Sequence, residues 1–236
     1  MPRLVQPEWL DELPSGHEGA IGSRRDLQRL NFLMGHPGII ARLLTTISPA
    51  GGIKTLVELG AGDGTFLLRV VGGLPLAWRP EKLLLVDRRP SVSQDTQAQF
   101  KKCGWEWEMI AADVQDWLSQ TRLPIEGTAM MANLFLHHFP GEELATLLSE
   151  IAFKSERFAA CEPRRSRLGL NASRLVRFIG CNSVTRHDAV VSVQAGFMGH
   201  ELTQLWPQCS KWNISEGRSG LFSHFFAAFR EAGSSS

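Results

Sequence analysis

The sequence predicts an α/β fold in which a mainly parallel sheet carries helices on both faces. Three observations support this. From residue 54, short apolar runs alternate with longer amphipathic segments. The first apolar run ends in a glycine-rich turn, and two strand-like runs close the chain with no helical pattern between them. Repeated strand-then-helix units give parallel strands, because each helix carries the chain back across a face of the sheet.

Residues 1–22 are polar and rich in Pro and Gly, and they read as an irregular arm. Ser23 reads as an N-cap, with Asp26 adding acidic charge to the first turn. Leu27, Leu30, Leu33 and Met34 recur at helical spacing, and Gly35 ends that helix. Pro37 opens the next helix, in the first turn where proline is tolerated. Ile39, Ile40, Leu43, Leu44 and Ile47 form its apolar face, and residues 49–52 stop it. Together, residues 1–50 form an N-terminal cap whose apolar faces suit a lid or a dimer surface.

In the main domain, 51–236, strands are expected at 54–59, 82–87, 105–111, 128–134 and 157–161. Helices are expected at 64–72, 91–102, 114–120 and 142–154. Residues 164–189 include Leu168, Leu170, Leu175, Val176, Phe178 and Ile179, too apolar for a linker, and they read as an inserted helical lid. Residues 190–206 read as one helix. Runs 211–216 and 221–230, separated by Gly217 and Gly220, form a hairpin-like pair. The final Gly-Ser-Ser-Ser reads as a disordered end.

Composition narrows the function classes. A length of 236 residues fits one domain with a small appendage. A net charge of +1 lacks the basic footprint of a nucleic-acid binder, so no nucleic-acid partner is expected. Cys103, Cys161, Cys181 and Cys209 are scattered without a CxxC pair, which favours buried thiols over a zinc or redox site. The first residues show no basic-then-apolar signal pattern, and no apolar run reaches the ~18 residues of a membrane span. A soluble cytoplasmic protein without membrane contact is therefore expected. The chain contains no tyrosine, which removes that side chain as a catalytic base.

The sharpest motif is Val57-Glu58-Leu59-Gly60-Ala61-Gly62-Asp63-Gly64. An apolar strand ends in an acid, and glycines alternate up to a helix start. Glycine suits a tight turn and close approach of a ligand to the backbone. The spacing E-x-G-x-G-x-G differs from the G-x-G-x-x-G of dinucleotide binders. Asp87 ends the second strand with Arg88 after it. Asp113-Val114 follows the third strand, where Asp113 also suits a helix N-cap. Asn133-Leu134-Phe135-Leu136-His137-His138-Phe139 ends the fourth strand, and Glu162-Pro163 ends the fifth, facing the pocket mouth.

From about residue 54 to the C-terminus the chain resembles the class I S-adenosylmethionine-dependent methyltransferases, of the small-molecule type. The resemblance implies a Rossmann-like seven-stranded sheet with an antiparallel last strand, and S-adenosyl-L-methionine as cofactor. It implies that Glu58, Gly60, Ala61, Gly62 and Gly64 cradle the methionine and ribose portions. Asp87, with Arg88 beside it, would take the ribose hydroxyls. Asp113 and Val114 would take the adenine, and Asn133 would lie near the methionine part through its backbone carbonyl. The DNA amino-methyltransferase sequence Asn/Asp-Pro-Pro-aromatic is missing at Asn133.

Histidine titrates near neutrality, so His137, His138 and His187 are candidate proton acceptors. The histidine pair lacks an acidic or thiol partner at suitable spacing, so no metal site is expected. The expected acceptor is a hydroxyl on a small phenolic or polyketide-like metabolite. Arg164, Arg165, Arg167, Arg174 and Arg177 keep open an anionic or carrier-bound acceptor, or a nucleic-acid or protein one. A non-catalytic partner protein of the same fold also stays open.

Overall fold

The computed structural model describes residues 1–14, 16–48, 52–208 and 212–231. The strands are β1 (Thr55–Leu59), β2 (Lys82–Asp87), β3 (Glu106–Ala111), β4 (Thr128–Asn133), β5 (Arg157–Pro163), β6 (Trp212–Ser219) and β7 (Ser223–Arg230). They form one sheet in the order β3-β2-β1-β4-β5-β7-β6. Strands β1 to β5 are parallel, and β7 runs antiparallel to both β5 and β6. Strand order reverses between β1 and β4, the switch point at which open α/β sheets bind ligands.

The helices before the sheet are α1 (Trp9–Glu12), α2 (Glu18–Leu33) and α3 (His36–Thr46). Those between strands are α4 (Thr65–Gly72), α5 (Gln94–Lys102), α6 (Val114–Gln120), α7 (Gly141–Lys154), α8 (Arg167–Leu175), α9 (Ser183–Ala195) and α10 (Glu201–Leu205). Single 3₁₀ turns lie at Leu76–Trp78, Leu136–His138 and Val176–Ile179. No helix among the described residues is long and apolar enough to cross a membrane.

Side chains alternate across the sheet. Val57, Leu84, Met130 and Phe158 pack with Leu118, Leu144, Leu148 and Trp206 on one face. Leu56, Leu83, Met131 and Ala159 pack with Ile40, Leu44, Leu67 and Phe100 on the other. Helix α3 therefore belongs to a layer that covers the sheet. Both faces of the central strands are buried, which is why these strands read as continuous apolar runs.

Several boundaries differ from expectation, each for a visible reason. The arm is not irregular to residue 22: α2 starts at Glu18, with His17 accepting the Gly19 amide at 3.1 Å. Ser23 is not a cap. It is buried within α2 and takes a hydrogen bond from the Thr185 hydroxyl at 3.1 Å. Gly22 lets α2 approach α9 closely, since a Cβ there would lie 2.7 Å from Asn182 Nδ2. The single helix expected over 190–206 is broken into α9 and α10 at Gly196. The Phe197 amide donates to the Pro163 carbonyl at 2.9 Å, and a Cβ on Gly196 would meet that oxygen at 2.2 Å. The segment 164–189, expected as a lid, contains α8, the turn at Val176–Ile179 and the first turns of α9. The helix expected from 91 starts at Gln94, capped by Ser93. Strand β5 continues to Pro163, and β6 continues to Ser219. The stop at 49–51, Cys209, the start of β6 at 211 and the terminal Gly-Ser-Ser-Ser lie outside the described residues.

Phe158 is fully buried and stacks on Trp206 at 5.7 Å between centroids. Phe158→Ala should cost about 3–5 kcal/mol through lost burial and a residual cavity, as measured by urea unfolding.

Candidate active site

A cavity of about 640 Å³ opens over the carboxyl ends of β1, β2, β3 and β4. Each strand end delivers polar groups to it. After β1, the Gly60 and Ala61 amides donate to the Val86 carbonyl at 2.9 and 3.1 Å, which pins the turn to β2. Gly60 has φ +75°, and a Cβ there would lie 2.4 Å from the Phe135 ring. Gly62 has φ +54° with nothing within 4 Å of a would-be Cβ, so its backbone faces open space. Ala61 and Gly62 line the cavity, while Gly64 sits beneath, with its would-be Cβ against Leu85.

Glu58 is almost fully buried below this turn, and its Oε2 has no hydrogen-bond partner. Burial, followed by the nearby charges of Asp63 and Asp87, pushes its carboxyl well above the usual range. Asp87 accepts the Gly62 amide at 2.8 Å on Oδ2 and the Arg89 amide at 2.6 Å on Oδ1, which fixes its carboxylate at the rim. Arg88 lines the same rim. Asp113 caps α6 by accepting the Gln115 amide at 2.8 Å, and with Val114 it also lines the cavity, so the two expectations for it are compatible.

Strand β4 ends at Asn133. Its side-chain oxygen meets His36 Nδ1 at 2.8 Å, and its amide donates to Asn31 at 3.3 Å. Burial holds His36 down at about 4, so it is neutral, and its Nε2 meets the Ser223 hydroxyl at 2.8 Å. The next residue, Leu134, has φ +52°, a left-handed conformation that is unfavourable for a branched side chain.

That strained turn is held by Glu162 at the end of β5. Glu162 is fully buried and accepts the Phe135 and Leu136 amides at 3.0 and 2.9 Å on Oε1. Its Oε2 takes His137 Nδ1 at 2.7 Å, while His137 Nε2 faces Glu8 Oε1 at 3.2 Å. Burial pushes His137 down, but hydrogen bonds and charge from the two carboxylates outweigh it and raise the imidazole to about 9. The same bonds bring Glu8 down to about 2 against its burial. His137 is therefore an imidazolium at neutral pH, with both nitrogens engaged. This corrects the expectation that it takes a proton.

His138 differs. Burial, followed by the neighbouring His137 charge, lowers it, so it is neutral. Its ring stacks on His137 at 4.3 Å, its Nδ1 lies 3.4 Å from Asp11 Oδ2, and it lines the cavity. His187 is placed elsewhere. It stacks on Trp9 at 3.9 Å and pairs with Asp188 at 2.9 Å, and it is not among the residues lining the cavity. Asn182 caps α9, and Asp188 accepts the Trp9 and Leu10 amides.

Sequence reasoning missed the N-terminal arm. Val5, Gln6, Pro7, Glu8, Leu10 and Asp11 supply one wall, and Glu8 is the acidic partner that spacing near the histidines did not reveal. Arg3 ties the arm down by donating to the Ala195 and Phe139 carbonyls at 2.7 and 2.8 Å. The available signal was Val5, Trp9 and Leu10, apolar residues out of place in a solvated arm.

No protein-family model matches the chain, and no curated protein matches it in sequence. Solved structures match it in fold. The plantazolicin methyltransferase BamL, in complex with a triazolic desmethylPZN analog and SAH, superposes with a TM-score of 0.64 at 9% identity, over 94% of this chain and 93% of that one. Magnesium protoporphyrin IX methyltransferase (ChlM) from Synechocystis PCC 6803 with bound SAM gives 0.51 at 11% identity, over 97% and 86%. The N,N-8-amino-8-demethyl-D-riboflavin dimethyltransferase RosA from Streptomyces davawensis gives 0.56 at 16% identity, over 95% and 62%.

The buried ion pair has a pH signature. His137 gains affinity for its proton on folding, so its contribution is fully present below about 6.5 and is lost as pH rises through about 9. Urea unfolding should show wild type losing stability across that window. Glu8→Gln should be less stable at neutral pH and should lose less across the window.

Proposed function

We propose that this chain, which has the fold of the S-adenosylmethionine-dependent methyltransferases, binds S-adenosyl-L-methionine in the cavity under its N-terminal arm. We further propose that it methylates a hydroxyl of a small phenolic or polyketide-like acceptor. The observation that carries the reading is the end of β1. There a buried carboxyl with an unpartnered oxygen, Glu58, lies below a glycine turn whose Gly62 backbone faces open space. The residues present fit the cofactor. An unpartnered acceptor, a rim carboxylate at Asp87 and an acid at Asp113 suit a ligand with ammonium, hydroxyl and amino donors.

In this reading Asp87 holds the ribose hydroxyls, with its carboxylate already aimed by two backbone amides. Asp113 and Val114 hold the adenine. Gly60, Ala61, Gly62 and the end of β4 at Asn133 hold the methionine portion. When bound, the cofactor supplies a sulfonium-activated methyl group.

The chain's own part is orientation, exclusion of water and management of the acceptor's proton. The arm roofs the cavity. Asp11 faces Nδ1 of His138 and favours the tautomer that leaves Nε2 free to accept a proton. A free phenol titrates near 10, so a neutral imidazole beside it raises the reactive fraction at neutral pH. The neighbouring imidazolium, His137, disfavours a second positive charge at His138 and keeps it unprotonated.

Titration calorimetry with S-adenosylhomocysteine tests the first step. Wild type should bind, and Asp87→Ala should weaken binding by about 1.5–3 kcal/mol, the worth of a charge-assisted hydrogen bond. Unchanged affinity in Asp87→Ala would remove that residue from the site. On a phenolic acceptor, His138→Ala should lower kcat by about 10²–10⁴-fold with cofactor affinity retained. The acid limb of the wild-type rate should lie below 6.5, as the lowered His138 requires. Methylation only of protein or RNA by the purified chain would contradict the proposed acceptor.

A further inference from the structure

Between Glu162 and Asp188 the sequence holds no acidic residue but has six arginines: Arg164, Arg165, Arg167, Arg174, Arg177 and Arg186. The fold gathers three of them, Arg164, Arg165 and Arg167, with Arg218 of β6 around a second cavity of about 490 Å³. It opens where β5 runs into α8 beside the β6–β7 turn, and Ser166, His200, Glu216 and His224 also line it.

The nearby carboxylates are already committed. Glu201 pairs with Arg165, which is buried and also donates to the Gly196 carbonyl at 2.6 Å. Glu216 accepts His224 Nε2 at 2.8 Å and the Thr203 amide at 2.7 Å. Among the described residues, no carboxylate pairs with Arg164, Arg167 or Arg218. Helix α8 has no acid in its first turn, so its N-terminal amides add to the positive potential at Arg167. Like charges around one concavity repel, and a bound anion relieves them. Guanidinium forks match phosphate oxygens two at a time.

We propose that this cavity is a second binding site, separate from the one under the arm, for a phosphate-bearing ligand. The phosphate belongs either to a free small molecule or to the phosphopantetheine arm of a carrier, and the recognition chemistry is the same for both. The proposal does not depend on methyl transfer.

Titration calorimetry of the full chain at low salt tests it, with inorganic pyrophosphate, coenzyme A and uncharged pantetheine as probes. Pyrophosphate and coenzyme A should bind, pantetheine should not, and affinity should fall as salt rises. The double variant Arg164→Ala/Arg218→Ala should weaken both by about tenfold or more, the loss expected for a charge-assisted hydrogen bond. Its thermal midpoint should not fall below the wild-type value, because neither side chain pairs with a carboxylate. Tighter binding of coenzyme A than of pyrophosphate supports the site with a ligand whose organic part is also held. Equal affinities support it with a free phosphate ester. Failure of both anions to bind, or binding indifferent to the double substitution, would overturn the proposal.

Discussion

Two carboxylates and one imidazolium are buried together where β4 and β5 end. Glu162 of β5 holds the turn after β4 through two amides and His137, and His137 in turn holds Glu8 of the arm. Each member is costly to bury alone, and removing one leaves an uncompensated charge, typically at about 3–5 kcal/mol. The chain of charges therefore fixes three segments far apart in sequence. It holds Leu134 in its strained conformation, sets the ring of His138 against His137 and seats the arm as a wall of the cavity.

The same arrangement separates two adjacent histidines into different roles. His137 lies between two carboxylates and keeps its proton. His138, half-buried and stacked beside that positive charge, is lowered and neutral. Neighbouring groups with opposite shifts are how one site holds a fixed charge and a proton acceptor together. On the other side of the cavity, Glu58 lies buried under the glycine turn near Asp63 and Asp87, and burial first, then those two charges, pushes its carboxyl up. The cavity thus has carboxyl groups at the ends of β1 and β2 and an imidazole wall after β4.

From residue 54 to the end of β5 the fold was legible because the determining signals are local. Buried parallel strands are unbroken apolar runs, and Asp113 marks a helix start. Glu58, the glycines, Asp87, Asp113 and the histidine pair all lie at strand ends, so topology alone gathers them. What was not legible depends on contacts across the chain. Gly22 and Gly19 looked like loop residues, but they lie in α2, where Gly22 lets the helix approach Asn182. Gly196 breaks a run of otherwise helical pattern because Pro163 comes against it. The charge state of His137 was hidden for the same reason, since one of its partners lies 129 residues away. His187 and Asp188, adjacent in sequence, do pair, but against Trp9 and the arm rather than inside the cavity.

The most direct measurement is a crystal structure of the full chain grown with S-adenosylhomocysteine. The expected result is ligand density between the Gly60–Gly64 turn and His138, with ribose oxygens on Asp87 and the arm in place with Glu8 on His137. Density elsewhere in the molecule, or an arm displaced from the cavity with the ligand bound, would contradict the assignment of this cavity and of the buried charges that close it.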